Sequence, residues 1–288
     1  MRHSITAPAV RSRTRATGHP PLVMVTAYDA PTGRIAAEAG VDIVLVGDSV
    51  AMVVLGYDDT LAVTVDDMER HVGAVARGMA RATPPGPSPL LVADLPWLSF
   101  HLSRADTLRN AGRLVRAGAA AVKLEGGRRR LPMVAALVDA EIPVMGHLGL
   151  TPQSVHALGG YKVQARPPDA AARLVDDAVA LAGAGCFAVV LEAVPDAAAR
   201  AVTEAVDVPT IGIGAGPACD GQVLVFHDLV GLEDGIRPRF VRRYASLKAD
   251  AVRAVAAFAA DVRAGRYPAE HESYRGGAAG PEGATKSA

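Results

Sequence analysis

VDIVLVGDS, residues 41–49, is an apolar run that stops on Asp48 and Ser49. A short segment rich in Val, Ile and Leu, bounded by Gly, is how a strand buried on both faces reads. The pattern recurs: PLLVADLP at 89–96 stops at Asp94, and AAAVKLEGG at 119–127 carries Lys123 and Glu125. IPVMGHLG at 142–149 stops at His147, and CFAVVLEAVP at 186–195 at Glu192. One acid at a strand end would mean little. A succession of them predicts strands delivering polar groups to a common rim, the anatomy of a (β/α)8 TIM barrel in the α/β class.

The pattern between these runs agrees. Strands are predicted at 22–28, 41–47, 89–94, 119–125, 142–147, 186–192 and 208–213, with a weaker one at 223–227. Helical periods at 30–39, 66–82, 104–117, 130–140, 170–184 and 196–206 alternate with them, as a βα architecture requires. Asp66 and Ser103 stand where N-caps belong, and Gly40, Gly118 and Gly185 where helices should stop. Residues 239–265 predict a long closing helix. No change of composition marks a second domain, so a single barrel domain over 21–274 is expected. Residues 1–20, with Arg2, Arg11, Arg13 and Arg15 and no acid, are expected to be disordered, as is the polar tail 275–288.

Bulk properties narrow the function. The chain has 288 residues, half of them hydrophobic, enough for one large core. Thirty basic residues balance thirty acidic ones, which removes the electrostatic case for nucleic acid or anionic membrane. No stretch approaches the roughly 18 apolar residues of a membrane helix. Cys186 and Cys219 form no CxxC pair, and a reducing, cytoplasmic compartment is expected.

Asp48, Asp94 and Glu125 supply hard oxygen donors of the kind Mg²⁺ takes, with water and substrate completing its shell. Each acid could instead cap a following helix. No HxH, HExxH or Cys cluster suggests zinc. Lys123 and Glu125, two apart in one strand, face the same way. Lys123 then either binds a substrate carboxylate or pairs with Glu125. Glu192, closing an apolar run, is the candidate proton acceptor or a helix cap, and His147 a donor to a substrate oxygen or a strand-end histidine. GIGAG at 212–216 is no dinucleotide fingerprint, because Pro217 breaks GxGxxG; it reads as tight strand-to-helix packing or as a phosphate-holding turn after a seventh strand. The long segment 146–166 predicts a functional insertion or a surface loop that is merely long.

With these residues assembled, the chain resembles the ketopantoate hydroxymethyltransferases (3-methyl-2-oxobutanoate hydroxymethyltransferases). The matching blocks are VTAYDA (25–30), LVGDS (45–49), DDTLAVT (58–64), LVADLP (91–96) and VKLEGG (122–127). They continue with GHLGLTPQSV (146–155), GGYKVQAR (159–166), IGIGAG (211–216) and DGQVLVFHD (220–228). The resemblance implies a barrel of the phosphoenolpyruvate mutase/isocitrate lyase type assembled as a homo-oligomer, a decamer. It implies hydroxymethyl transfer from 5,10-methylenetetrahydrofolate to 3-methyl-2-oxobutanoate through a Mg²⁺-stabilised enolate, Mn²⁺ being an alternative metal, and so a place in pantothenate and coenzyme A synthesis. It places the metal on Asp48 and Asp94 with Glu125 in its shell, and the oxoacid on Asp48, Ser49, Asp94 and Lys123. His147 is implied near the substrate and Glu192 as the base. Pro217, Tyr57, Ala51 and Phe100 depart from the family's common residues and leave folate affinity and oxoacid preference open. A Mg²⁺-dependent C–C lyase or mutase is the alternative chemistry, although the 146–166 loop lacks the cysteine those enzymes usually carry.

Overall fold

Eight parallel strands close on themselves, each bonded to the next and the last to the first. They are β1 (Leu22–Thr26), β2 (Ile43–Val46), β3 (Leu90–Asp94), β4 (Ala121–Glu125), β5 (Val144–Gly149), β6 (Ala188–Glu192), β7 (Thr210–Ile213) and β8 (Gly221–Leu224). The helices are α1 (Ala7–Arg11), α2 (Ala30–Glu38), α3 (Val50–Val53), α4 (Val65–Ala80), α5 (Arg104–Ala117) and α6 (Leu131–Asp139). They continue with α7 (Val155–Leu158), α8 (Pro168–Gly183), α9 (Asp196–Ala205), α10 (Phe226–Val230) and α11 (Leu247–Arg263). This computed structural model describes residues 4–233, 235 and 238–274, in two compact units, 1–244 and 245–288.

Period-two alternation sorts each strand into two layers. Val44, Leu91, Val122, Leu124, Val189 and Leu191 join the helices in one cluster. Ile43, Leu45, Leu90, Val92, Ala121, Met145 and Val190 fill the barrel interior. Both layers are apolar, which is why the strands read as unbroken hydrophobic runs.

The N-terminal segment departs from expectation. Instead of disorder, residues 4–20 carry α1, whose Ala7 and Val10 are buried with the barrel-interior cluster. Arg11 donates to the Cys186 carbonyl (3.0 Å), just before β6, and the Arg15 amide to Asp220 Oδ1 (2.6 Å), just before β8. A barrel interior lined with Leu, Ile and Met must be covered where the strands begin, and this short helix covers it.

Three smaller expectations also change. The N-cap of α4 is Thr64, which forms a reciprocal box with Asp67, so Asp66 lies inside the first turn. The eighth strand is 221–224, because the Phe226 amide turns to Thr26 Oγ1 (2.9 Å) and α10 begins. In place of one domain closed by a helix over 239–265, residues 239–244 belong to the first unit, where the Tyr244 amide bonds the Leu229 carbonyl (2.8 Å). The second unit holds α11, none of whose residues is buried. The tail expected at 275–288 lies outside the described residues.

Candidate active site

The interior positions of four neighbouring strands change from apolar to polar towards the same end of the barrel. Val92 gives way to Asp94, Ala121 to Lys123 and Glu125, Met145 to His147, and Val190 to Glu192. Register aligns them: Asp94 pairs with Lys123, and Glu125 with His147. Asp48 follows the end of β2, its amide donating to Asp94 Oδ2 (3.1 Å). All the residues expected at the site, Ser49 included, therefore line one cavity of about 560 Å³, together with Tyr57, Tyr161 and Phe240.

Asp48, Asp94, Lys123, Glu125 and His147 are each no more than 5 % exposed. Burying such groups is costly unless they pair. Lys123 Nζ lies 2.7 Å from Asp94 Oδ1 and 3.3 Å from His147 Nδ1. The expected Lys123–Glu125 pair is corrected: the protein partner of Lys123 is Asp94 on the neighbouring strand β3. The His147 ring stands between two carboxylates, with Nδ1 3.4 Å from Glu125 Oε1 and Nε2 3.3 Å from Glu192 Oε2. The Glu192 side chain is more open, at 19 % exposure.

Electrostatics follow from this crowding. Burial, then the Asp94 and Glu125 carboxylates, push the Asp48 carboxyl well above its usual range, against the pull of Lys123 and Gln153. Burial likewise raises Asp94, although Lys123 opposes it. Burial disfavours the Lys123 ammonium, but Asp94, Glu125 and Asp48 outweigh it and raise its pKa. Burial and Lys123 also disfavour a charged His147, yet Glu125 and Glu192 lift its pKa to about 9.

Carboxylates thus outnumber cations here, and two of them cannot ionise comfortably. Among the described residues no three His, Cys, Asp or Glu side chains are arranged to hold a metal by themselves. A hard dication that takes one or two protein carboxylates and fills its shell with water and substrate oxygens fits this donor set. It would relieve the repulsion that raises Asp48.

Two backbone features position the cluster. Gly149 has φ +90°, and a Cβ there would lie 2.3 Å from the Glu192 carbonyl. Its absence lets the loop after β5 press against β6, where the Leu150 amide donates to that carbonyl (2.8 Å). Asp29 caps α2 in a reciprocal box with Thr32. The preceding residue, Tyr28, is fully buried, and its hydroxyl meets Ser49 Oγ at 2.8 Å.

Of the departing residues, Tyr57 lines the cavity. Ala51 and Phe100 are buried, with the Arg130 guanidinium 5.5 Å from the Phe100 ring centre. The Pro217 carbonyl accepts from Arg15 (2.7 Å). Sequence reasoning gave no role to Tyr28 or Gln153. Gln153 is buried and donates from Nε2 to Asp48 Oδ2 (2.8 Å) and from its amide to Glu125 Oε2 (3.0 Å). Both residues lay inside blocks quoted for the resemblance, VTAYDA and GHLGLTPQSV, which was the available signal.

Comparison with known proteins identifies the family and the fold. A family model described as ketopantoate hydroxymethyltransferase matches residues 5–270. The 3-methyl-2-oxobutanoate hydroxymethyltransferase 2 of Bradyrhizobium diazoefficiens is 56 % identical over 254 residues, covering 88 % of this chain and 84 % of its own. The 3-methyl-2-oxobutanoate hydroxymethyltransferase of Methylobacterium sp. strain 4-46 is 55 % identical over 253 residues, covering 88 % and 85 %. Among solved structures, phosphonopyruvate hydrolase in complex with oxalate and Mg²⁺ aligns with TM-score 0.58 at 16 % identity, covering 92 % of each chain. A 2,3-dimethylmalate lyase of the PEP mutase/isocitrate lyase superfamily aligns with TM-score 0.56 at 19 % identity, covering 93 % of this chain and 91 % of that one. These two likenesses concern the barrel alone.

Proposed function

Because the chain belongs to the ketopantoate hydroxymethyltransferase family, we propose that it transfers a hydroxymethyl group from 5,10-methylenetetrahydrofolate to 3-methyl-2-oxobutanoate, giving 2-dehydropantoate. The observation that carries this reading is the single cavity in which Asp48, Asp94, Lys123, Glu125, His147 and Glu192 meet. A 2-oxoacid brings a carboxylate and a keto oxygen, and the cluster answers both with a cation-seeking set of acids beside a buried ammonium. Asp48 and Asp94 would hold Mg²⁺, or Mn²⁺, with Glu125 close by. When bound, the metal supplies Lewis-acid stabilisation of the charge that develops on the keto oxygen as C3 loses its proton.

Glu192 is the proton acceptor. It is the carboxylate of the cluster with the most solvent access, and His147 Nε2 lies 3.3 Å from it. Lys123, held upright by Asp94, is the ammonium nearest an incoming carboxylate. Ser49, oriented by Tyr28, is placed to donate to substrate. Carbon C3 then bonds the folate methylene carbon, which has opened its bond to one folate nitrogen; water oxygen displaces the other, and the two nitrogens of the departing tetrahydrofolate take up one proton from water and one equivalent to that lost from C3. Cys186 and Cys219 are both free and buried, which suits cytoplasmic operation.

Exchange of the C3 proton of 3-methyl-2-oxobutanoate into D₂O, followed by NMR with Mg²⁺ and without folate, tests the base directly. A positioned base contributes roughly 10²–10⁴ in rate. Glu192→Gln is expected to lose exchange within that range while still binding the oxoacid. Exchange at the wild-type rate in this variant would remove Glu192 from the role. Dehydropantoate formation that persisted without the folate donor, or with chelator, would reject the co-substrate or the metal.

A further inference from the structure

Gln153 belongs to the short 3₁₀ turn Pro152–Ser154, after β5, and only 5 % of it is exposed. Its Nε2 donates to Asp48 Oδ2 at 2.8 Å and to the Leu95 carbonyl at 2.9 Å. Its backbone amide donates to Glu125 Oε2 at 3.0 Å. One residue of the loop after β5 therefore holds groups that follow β2 and β3 and the carboxylate that ends β4. Asp48 and Glu125 repel each other, and Gln153 is the neutral donor that both share.

The orientation of the amide is forced. Both Nε2 hydrogens are spent on acceptors, so exchanging nitrogen and oxygen would set Oε1 against a carboxylate and a carbonyl. Oε1 itself is buried with no hydrogen-bond partner among the described residues. An unpaired buried acceptor is destabilising. A methionine of similar length would fill the space without that penalty. The amide is therefore explained by its donors rather than by packing.

From this geometry we infer that Gln153 is a positioning residue for the divalent-cation site. It fixes the directions of the Asp48 and Glu125 carboxylates and anchors the loop after β5 to them. The inference rests on the metal reading given above and adds a residue to it. Without the donors, Asp48 is free to rotate away from Asp94, and Glu125 loses its tie to the loop. Outer groups that orient ligands typically account for 10–100-fold in metal affinity.

The test is Mn²⁺ binding, read from the free-ion EPR signal with no substrate or folate present. The proteins compared are the wild type, Gln153→Met, Gln153→Ala and, as control, His156→Ala at an exposed position of α7, with folding checked by urea unfolding. Gln153→Met is expected to weaken the Mn²⁺ dissociation constant 10–100-fold. Gln153→Ala admits water and should lose less, and His156→Ala should bind as wild type. Should Gln153→Met fail to fold, Gln153→Ala alone decides, any weakening supporting the role. Folded variants with the wild-type Mn²⁺ constant would overturn it, and so would a lowered urea midpoint with unchanged Mn²⁺ binding, which marks a purely structural residue. A wild-type protein that binds no Mn²⁺ would reject the metal reading itself, and this inference with it.

Discussion

Replacing His147 with glutamine tests the electrostatics of the cluster most directly. The imidazole lies between Glu125 and Glu192, at 3.4 and 3.3 Å, and its pKa is lifted from 6.5 to about 9 despite burial and Lys123. A group whose pKa is raised on folding adds stability that is fully present below its unfolded value and is lost as the pH climbs through the folded one. For His147 that window runs from 6.5 to about 9. The displacement corresponds to about 3 kcal/mol of folding free energy, at about 1.4 kcal/mol per pH unit. The ring is fully buried, so solvent does little to reduce it.

The assay is urea unfolding at pH 6.5 and pH 9.5, in chelator, for wild type and His147→Gln. The wild type should lose about 3 kcal/mol more than the variant across that interval. Asp48 also has a raised pKa and pulls stability down in the same direction, but it does so in both proteins and cancels. The competing arrangement is specific. Lys123 Nζ is 3.3 Å from Nδ1, and a neutral ring accepting from it would titrate below 6.5. Parallel losses in the two proteins, or a labelled His147 resonance titrating below 6.5, would refute the imidazolium. An imidazolium has no lone pair to receive a proton, so a charged His147 would be consistent with the acceptor role proposed for Glu192.

The fold carries two further expectations. Val10 is completely buried in the barrel-interior cluster. Val10→Ala removes two methyl groups, and transfer plus cavity terms give a loss of about 2–3 kcal/mol. An unchanged urea midpoint would mean that α1 does not cover the barrel. Gly78 of α4 packs on the start of α2, where a Cβ would meet the Ala30 carbonyl oxygen at 2.0 Å. Gly78→Ala gains about 1 kcal/mol of helix propensity, yet the clash with rigid backbone should leave a net loss of about 2 kcal/mol or more. A variant as stable as wild type would refute that close approach.

Much of this was legible because barrel strands announce themselves twice, by unbroken hydrophobicity and by the polar residue that ends it. Lys123 and Glu125 could be assigned to one face from spacing alone. Less legible was what depends on partners distant in sequence. Gln153 has no periodic signature, and its contacts lie at Asp48, Leu95 and Glu125. Helix α1 contributes Ala7 and Val10 in a segment otherwise dominated by Arg, Thr and Pro. No window of that composition looks able to order itself, and it does so because the open end of a finished barrel offers an apolar surface. The cap of α4 was misplaced by two residues because Thr64, Asp66 and Asp67 are all plausible, and only backbone geometry chooses among them.

The same alternation that gathers the charged groups in one cavity also guards the register of the sheet. Slipping β3 by one residue would move Asp94 from the cavity into the layer of Ala93 and Leu91, among helices that offer no cation. Slipping β4 would do the same to Lys123 and Glu125, which would replace Val122 and Leu124. An unpaired buried charge is destabilising by several kcal/mol, far more than one misaligned strand could recover from its hydrogen bonds. The charged rim therefore opposes wrong pairings, while the correct pairing sets Asp94 beside Lys123 and Glu125 beside His147. Residues that burden the folded state when viewed singly thus help to make that state unique, and substitutions that neutralise the rim should be judged by strand register as well as by rate.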